Sequence, residues 1–169
     1  MDMLSKHFES IIADTRIYCL VPEPDSILMW THYADSHKGI CLEFAVDNPV
    51  FQQAAPIKYK RNYPVWAPGI HDDLGDFLLT KAEDWSYEKE YRIFASNDDA
   101  MPNGEPNHCK LIGEHVRLPP QALTGIILGC QCDAKAENEI RDIVHKHSPG
   151  LPIRRAVRLP FEYKLCIES

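Results

Sequence analysis

Helical and strand-like patterns of apolar residues follow one another along the chain. Apolar side chains three or four positions apart are typical of a helix that packs on one face, and strict alternation is typical of a half-buried strand. These patterns predict helices at residues 3–13, 27–33, 72–84 and 134–148, and strands at residues 16–21, 40–46, 55–59, 87–95, 114–118, 125–129, 153–159 and 163–168.

Strands outnumber helices in this order, and the helices are interspersed among them. The pattern therefore predicts an α+β fold with a mainly antiparallel or mixed sheet, on which three or four helices pack. The chain has 169 residues and contains no repeat, low-complexity tract or long linker. A chain of that length can bury roughly 70 % of its unfolded surface in one core. We therefore expect a single domain over residues 1–169.

The strand at residues 40–46 shows how alternation assigns the two faces of a strand. One face is apolar and is expected to pack on the core; it carries Ile40, Leu42, Phe44 and Val46. The opposite face carries Cys41 and Glu43. We expect the carboxylate of Glu43 to point away from the main core, toward water or a cleft.

Two stretches hold most of the chemically versatile side chains of the chain. Residues 28–44 are LMWTHYADSHKGICLEF, and residues 81–94 are KAEDWSYEKEYRIF. An ordinary core segment needs no such mixture of imidazole, phenol, indole and charged groups. We therefore expect these two stretches to build one site.

The predicted strand at residues 87–95 places Glu88, Glu90 and Arg92 on one face, because side chains two positions apart point the same way. One carboxylate raises the pKa of the other and the guanidinium lowers both, so such a trio can hold a catalytic acid or orient a hydroxyl. These three residues are the candidate catalytic groups. The alternative interpretation is an ion pair on an exposed surface, because charged runs usually cover solvated faces.

Four further side chains are candidates for contact with a substrate. His32 and His37 can hydrogen-bond a substrate or carry a proton, while Tyr33 and Tyr91 offer flat rings for stacking. The two histidines are five positions apart, whereas zinc ligands on one helix face are four apart, so no metal site is predicted. The alternatives are that His32 packs under Trp30 and that His37 lies in an exposed turn.

Charge and cysteine content narrow the expected partners and the compartment. A net charge of −7 argues against a nucleic-acid partner, although a protein partner or a small nucleotide remains compatible with it. The N-terminal residues lack the pattern of a secretory signal, so we expect the six cysteines to be free thiols in a cytoplasmic protein. No apolar run approaches the roughly 20 residues of a membrane helix, so no membrane partner is expected.

The motifs of several common enzyme classes are absent from the sequence. The glycines at residues 125 and 129 lack the lysine of a phosphate-binding loop, and no dinucleotide-binding glycine triplet occurs. No Gly-x-Ser-x-Gly elbow marks the serine of a hydrolase. The candidate site therefore has to be argued from its own residues.

The order and spacing of the motifs resemble a bacterial family. The resemblance rests on residues 28–44, on Lys81 with Trp85, on YEKEYR at residues 87–92 and on GIILG at residues 125–129. Together these are similar to the family called domain of unknown function 2971, from about Arg16 onward. Members of that family begin with a further segment that bears an Asn-Asp-Pro-Phe type motif. Nothing like it precedes Arg16, so we expect an N-terminally shortened member or a fragment.

The name of that family implies no established activity. Its layout, a His-Tyr stretch before one strand and a later Glu-x-Glu on another, is similar to that of ADP-ribosyltransferase-type domains. The similarity implies that His32 contacts the ribose of NAD, that Tyr33 stacks on the nicotinamide, and that Glu90 is the catalytic glutamate. Glu88 and Arg92 would support Glu90. NAD would then be a substrate, and no other cofactor is expected.

Two other hypotheses stay open at this point. The chain could be a non-catalytic interaction module, for example in a bacterial stress or phage-defence system, whose His/Glu/Arg network holds the fold or a protein partner. It could also be a metal-dependent nuclease that uses His32, His37, Glu43 and Glu90.

Overall fold

The computed structural model describes residues 15–64, 74–99, 106–113, 115–116, 118–119 and 121–168. The predicted helix at residues 3–13 lies outside the described residues. The described residues form an α+β fold with antiparallel and parallel strand pairs, which confirms the predicted class.

Four α-helices and one 3-10 helix occur among the described residues. They are α1 (Ile27–Tyr33), α2 (Pro49–Gln52), α3 (Leu74–Leu78), the 3-10 helix (Glu83–Glu88) and α4 (Ala134–His147). The strands in the described part of the chain are β1 (Arg16–Leu20), β2 (Ile40–Phe44), β3 (Ala55–Pro56), β4 (Lys58–Lys60), β5 (Thr80–Ala82), β6 (Tyr91–Ala95), β7 (Leu111–Ile112), β8 (His115–Val116), β9 (Leu123–Leu128), β10 (Ile153–Arg158) and β11 (Leu165–Glu168).

The chain divides into two compact units. The first unit comprises Met1–Pro22 and Asp47–Pro119, and the second comprises Glu23–Val46 and Pro120–Ser169. Each unit is therefore built from two separate pieces of the sequence. The expectation that the whole chain is a single domain stays a prediction.

A four-stranded mixed sheet with the order β11-β10-β9-β2 organises the second unit. Strand β9 pairs parallel with β10 and antiparallel with β2. The core beside this sheet is centred on the Trp30 ring of α1, which packs with Ile127, Ala156 and Leu165. Helix α1 begins after Ser26, whose side chain accepts a hydrogen bond from the backbone N–H of Met29 and so caps the helix.

The predicted orientation of β2 was wrong. Cys41 lies opposite Ile127 in the register, so both side chains share the face on which the Trp30 cluster packs. Ile40 and Leu42 are instead 37 % and 41 % exposed. Alternation separates the two faces of a strand but does not say which one a bulky neighbour covers, and here Trp30 covers the face with the smaller cysteine.

Glu43 lies on the same face as Cys41, as predicted. The expectation that its carboxylate points to water or a cleft was wrong. Its carboxylate forms an ion pair with Arg154 on β10. Glu43 is opposite Gly125 in the register, and a Cβ atom built on Gly125 would lie 2.5 Å from the carboxylate. The missing side chain at Gly125 therefore leaves the space that this ion pair occupies.

The first unit contains a three-stranded antiparallel sheet with the order β1-β6-β3 and a parallel pair of β4 with β5. The predicted helix at residues 72–84 was too long, because α3 ends at Leu78. The backbone N–H of Lys58 donates to the carbonyl of Leu79 at 2.7 Å, and the chain then continues as β5 beside β4. Pairing between distant segments, which helical periodicity does not reveal, ends this helix.

The close contact between Gly129 and the turn at His37 provides a test of the second unit. We expect Gly129→Ala to lower the free energy of unfolding by about 3 kcal/mol, at the upper end for overpacking, because its Cβ would overlap the backbone carbonyl of His37. Gly150→Ala is the control. A Cβ there meets open space, so only its positive φ of 93° opposes the substitution, at a cost of about 1–2 kcal/mol. Equal losses in urea unfolding would contradict this account of the turn.

Candidate functional site

Four charged side chains meet in the first unit and form what we term the charged network: Lys81, Glu88, Glu90 and Arg92. The Nζ atom of Lys81 donates to Glu88 and, at 2.8 Å, to Oε2 of Glu90. The Nε atom of Arg92 donates to Oε1 of Glu90 at 2.7 Å. Each oxygen of the Glu90 carboxylate therefore has its own cation.

Three different elements bring these side chains together. Lys81 is the central residue of β5, Glu88 ends the 3-10 helix, and Arg92 is the second residue of β6. Between the last two, Lys89 has a left-handed backbone with φ of 49°, which turns the chain from the 3-10 helix into β6. This turn directs Glu88 and Glu90 toward the same lysine although they do not share a strand.

The two carboxylates of the network are almost closed to solvent, while the side chains of Lys81 and Arg92 are 21 % and 17 % exposed. Glu88 and Glu90 are each 3 % exposed, and the two acidic groups face two basic groups. Further hydrogen bonds fix the arrangement. Arg92 also donates to the carbonyl of Leu78, and the backbone N–H of Glu90 donates to the hydroxyl of Tyr59 at 2.8 Å. A buried ion cluster with this many partners holds its geometry firmly.

The pKa shifts in the network have opposing causes. Burial on its own would raise the pKa of Glu90, but the hydrogen bonds from Arg92 and Lys81 hold this pKa at about 2. Burial would likewise lower the pKa of Lys81, yet its hydrogen bonds to Glu88 and Glu90 raise it above its usual value. These hydrogen bonds therefore favour the charged forms of Glu90 and Lys81, and Glu90 stays ionised at neutral pH.

The sequence predicted part of this arrangement. Glu88, Glu90 and Arg92 do come together, but the prediction that one strand face carries all three was wrong, because β6 begins only at Tyr91. Lys81 was not among the predicted site residues. The signal that could have identified it is charge balance, since burying two carboxylates beside one guanidinium requires a further cation.

Tyr91 and Cys19 lie next to the network on two strands of the same sheet. Successive side chains of a strand point to opposite faces, so Tyr91 and Arg92 lie on different faces of β6, and Tyr91 is partly exposed. Cys19 of β1 is directly opposite Arg92. The pKa of its thiol is raised by partial desolvation and by the hydrogen bond and charge of Glu90, although the residue is exposed.

The other three predicted site residues lie in the second unit. His32 and Tyr33, at the end of α1, are exposed and make an edge-on ring contact with each other at 6.3 Å. His37 is buried. The alternative interpretation of His37 as part of an exposed turn was therefore wrong. The alternative interpretation of His32 was also wrong, because His32 is exposed and not packed under Trp30. That the stretches at residues 28–44 and 81–94 build one site stays a prediction.

His37 is held by a specific hydrogen bond in a strained turn. The hydroxyl of Thr31 donates its one hydrogen to the carbonyl of Ile27 at 2.8 Å, so it accepts from Nε2 of His37 at 3.0 Å. Nδ1 is then an acceptor, and it is buried without a partner among the described residues. Asp35, Ser36 and His37 all have positive φ values, of 45°, 52° and 70°. Three consecutive residues in that region are costly for non-glycine side chains.

The environment of His37 disfavours its charged form. Burial lowers the pKa of the imidazole, and the nearby positive charge of Arg158 lowers it further. A proton on Nδ1 would be buried with no acceptor among the described residues. His37 therefore supports the turn as a neutral imidazole.

The described residues contain no group of three or more His, Cys, Asp or Glu side chains placed to hold a metal ion. Among the described helices, none combines the length and the apolar character needed to cross a membrane.

Comparisons of the chain with family models, curated proteins and solved structures found no match.

The charged network predicts a large difference between two chemically identical substitutions. We expect Glu90→Gln to lower the free energy of unfolding by about 3 kcal/mol, because it leaves Lys81 and Arg92 without their shared carboxylate. The control is Glu83→Gln, which breaks the exposed pair of Glu83 with Arg61 and should cost less than about 1 kcal/mol. Urea unfolding at pH 7 compares the two.

A comparison of wild type with Glu90→Gln at different pH values tests the role of the Glu90 carboxylate. Because its pKa is about 2 when folded and 4.5 as the ordinary value, the ionised carboxylate stabilises the fold above pH 4.5. That contribution is lost as the pH falls from 4.5 toward 2. The gap between wild type and Glu90→Gln should therefore close over that interval, and a gap that does not change with pH would contradict the assignment.

His37 predicts a separate loss of stability under mild acid. Its pKa is lowered in the folded chain, so below the ordinary value of 6.5 the unfolded chain takes up a proton that the folded chain resists. The free energy of unfolding should therefore fall as the pH drops from 7 to 5. His37→Asn, which tolerates positive φ, should remove that part of the slope, whereas His32→Asn should keep it. An unchanged slope in His37→Asn would exclude this role.

Proposed function

We propose that this protein is a non-catalytic interaction module in which the charged network supports the fold of the first unit. The observation that carries the proposal is the state of Glu90. Its carboxylate is 3 % exposed, and both of its oxygens accept hydrogen bonds from cations of the same unit. A carboxylate whose two oxygens are both paired within its own unit contributes to the fold of that unit.

The burial of Glu90 distinguishes this proposal from the ADP-ribosyltransferase hypothesis. A glutamate that stabilises a ribosyl cation has to lie against the sugar, and its carboxylate has to be aimed at the position where positive charge develops. In this chain the positive charges that face Glu90 are Lys81 and Arg92. Binding NAD beside Glu90 would require breaking one of these pairs.

The motifs at residues 28–44 and 81–94 support the further proposal that the chain is a member of the family of domain of unknown function 2971. All six cysteines are free, which supports the proposal of a reducing, cytoplasmic compartment. A module of this kind acts through its exposed side chains. The surfaces to test are those that present exposed aromatic and apolar groups to solvent.

The enzyme hypothesis and the module hypothesis predict different results when NAD consumption is measured. We expect purified wild-type chain to consume NAD no faster than Glu90→Gln, and neither protein to attach ADP-ribose to itself or to added protein. A characterised NAD-cleaving enzyme in the same assay shows that turnover would be detected. Consumption by wild type that is lost in a Glu90→Gln variant still folded at the assay temperature would overturn the proposal and make Glu90 a catalytic residue.

A further inference from the structure

The turn between α1 and β2 is bonded to two other parts of the second unit through one residue, His37. The backbone N–H of His37 donates to the carbonyl of Trp30 at 3.1 Å, and its imidazole donates to the hydroxyl of Thr31 at 3.0 Å, so two bonds connect it to α1. The carbonyl of His37 accepts from the N–H of Gln131 at 3.0 Å, in the turn that follows β9. His37 therefore joins the end of α1 to the end of β9.

The backbone of this turn is strained while these bonds are in place. Asp35, Ser36 and His37 have φ values of 45°, 52° and 70°, a region that costs free energy for side chains other than glycine. A change that releases His37 allows these residues to leave that region. Opening this turn therefore requires less free energy than opening an unstrained turn with the same hydrogen bonds.

The imidazole is placed so that an added proton acts against the closed turn. Its Nε2 atom already carries the hydrogen that is donated to Thr31, so a second proton has to go to Nδ1. Nδ1 is buried and has no partner in the described part of the chain. A buried N–H without an acceptor costs free energy, and a buried positive charge costs more. In an open turn the same nitrogen reaches water, so protonation favours opening.

The charges around His37 act in the same direction as its burial. Burial lowers the pKa of the imidazole in the closed turn, and the positive charge of Arg158 on β10 lowers it further. The groups that bond His37 from α1 and from the turn after β9 are neutral, namely the Thr31 hydroxyl and backbone groups. Its own turn carries Asp35 and Lys38, which are exposed. Among the described residues, no carboxylate bonds the imidazole to stabilise a positive charge on it.

The turn also lies at one end of the core of the second unit. Ala34 before it and Cys41 after it both pack against the cluster of Trp30. The end of α1 presents two exposed rings, His32 and Tyr33. Release of His37 therefore loosens the part of α1 that carries these rings and lets water approach the end of the core.

We propose that residues 34–38 form a pH-sensitive switch, closed while His37 is neutral and open when its imidazole is protonated, and that the switch opens while the sheet of the second unit stays folded. This local opening differs from the loss of overall stability expected in mild acid, because the change is confined to one turn. It does not depend on how the interaction module uses its exposed side chains.

Hydrogen exchange of the full chain, followed residue by residue by NMR, tests whether the opening is local. The N–H groups of His37 and Gln131 report on the turn, and the N–H of Ile126, which donates to the carbonyl of Pro152 at 3.0 Å, reports on the sheet. We expect exchange of the turn N–H groups to be independent of low urea concentrations and exchange of Ile126 to accelerate, because only global unfolding exposes a large surface. An equal urea dependence at the three positions would overturn the proposal.

The pH dependence of the same exchange tests the role of the imidazole. Between pH 7 and pH 5, the protection of the His37 and Gln131 N–H groups, relative to their intrinsic exchange rates, should fall by up to about 20-fold, the limit set by a pKa of 6.5 in the open turn. His37→Asn should remove this fall, because asparagine does not titrate and tolerates positive φ. The matched control is His145→Asn, an exposed histidine near the end of α4, which should keep it.

Two results of the pH experiment would overturn the switch. One is a fall in protection smaller than about twofold in wild type, since linkage requires a larger change over that interval if the proton opens the turn. The other is an equal fall in His37→Asn, which would assign the effect to a different group. The urea and pH measurements on wild type need no variant, so they decide the proposal even where His37→Asn does not fold.

Discussion

A buried carboxylate is stable only where cations and hydrogen-bond donors replace the water that it has lost, and Glu90 imposes that requirement on the first unit. Three elements meet at this group. Strand β5 supplies Lys81, strand β6 supplies Arg92, and the phenol of Tyr59 on β4 receives the backbone N–H of Glu90. Moving β5 or β6 would leave a charge unpaired, and moving β4 would remove the acceptor of the Glu90 backbone N–H, so the network fixes the relative positions of these strands.

Close backbone contact constrains one turn of the second unit. The carbonyl of His37 accepts the N–H of Gln131 and lies where a side chain at Gly129 would be, and the N–H of Gly129 donates to Gly39. The neutral imidazole of His37 anchors the other side of this turn through Thr31. A left-handed run of three residues is maintained because a glycine across from it leaves room for its backbone.

The sequence predicted those features that depend on neighbours along the chain. The α+β class, helix α1 and the apolar strand β9 follow from local periodicity, and all of them occur in the structure. The faces of β2 and the end of α3 were predicted wrongly for a common reason. Each is decided by a segment distant in sequence, Trp30 packing on Cys41 in one case and β4 pairing with β5 in the other.

The candidate site was predicted because two stretches hold many chemically versatile side chains. In the structure, several of these side chains pack or pair within the fold. Trp30 is core, Thr31 and His37 bond each other, and Glu90 is enclosed by Lys81 and Arg92. The Glu90 carboxylate is buried with both oxygens paired, so its role in the fold accounts for it. The Nε2 atom of His37 is paired, whereas its Nδ1 atom is buried without a partner among the described residues.

A single exposed aromatic side chain needs no special explanation, but one held in a strained backbone does. Phe161 is the clearest case, since it is both fully exposed and held at a positive φ that favours glycine. Interaction with another molecule accounts for such a residue more directly than folding does.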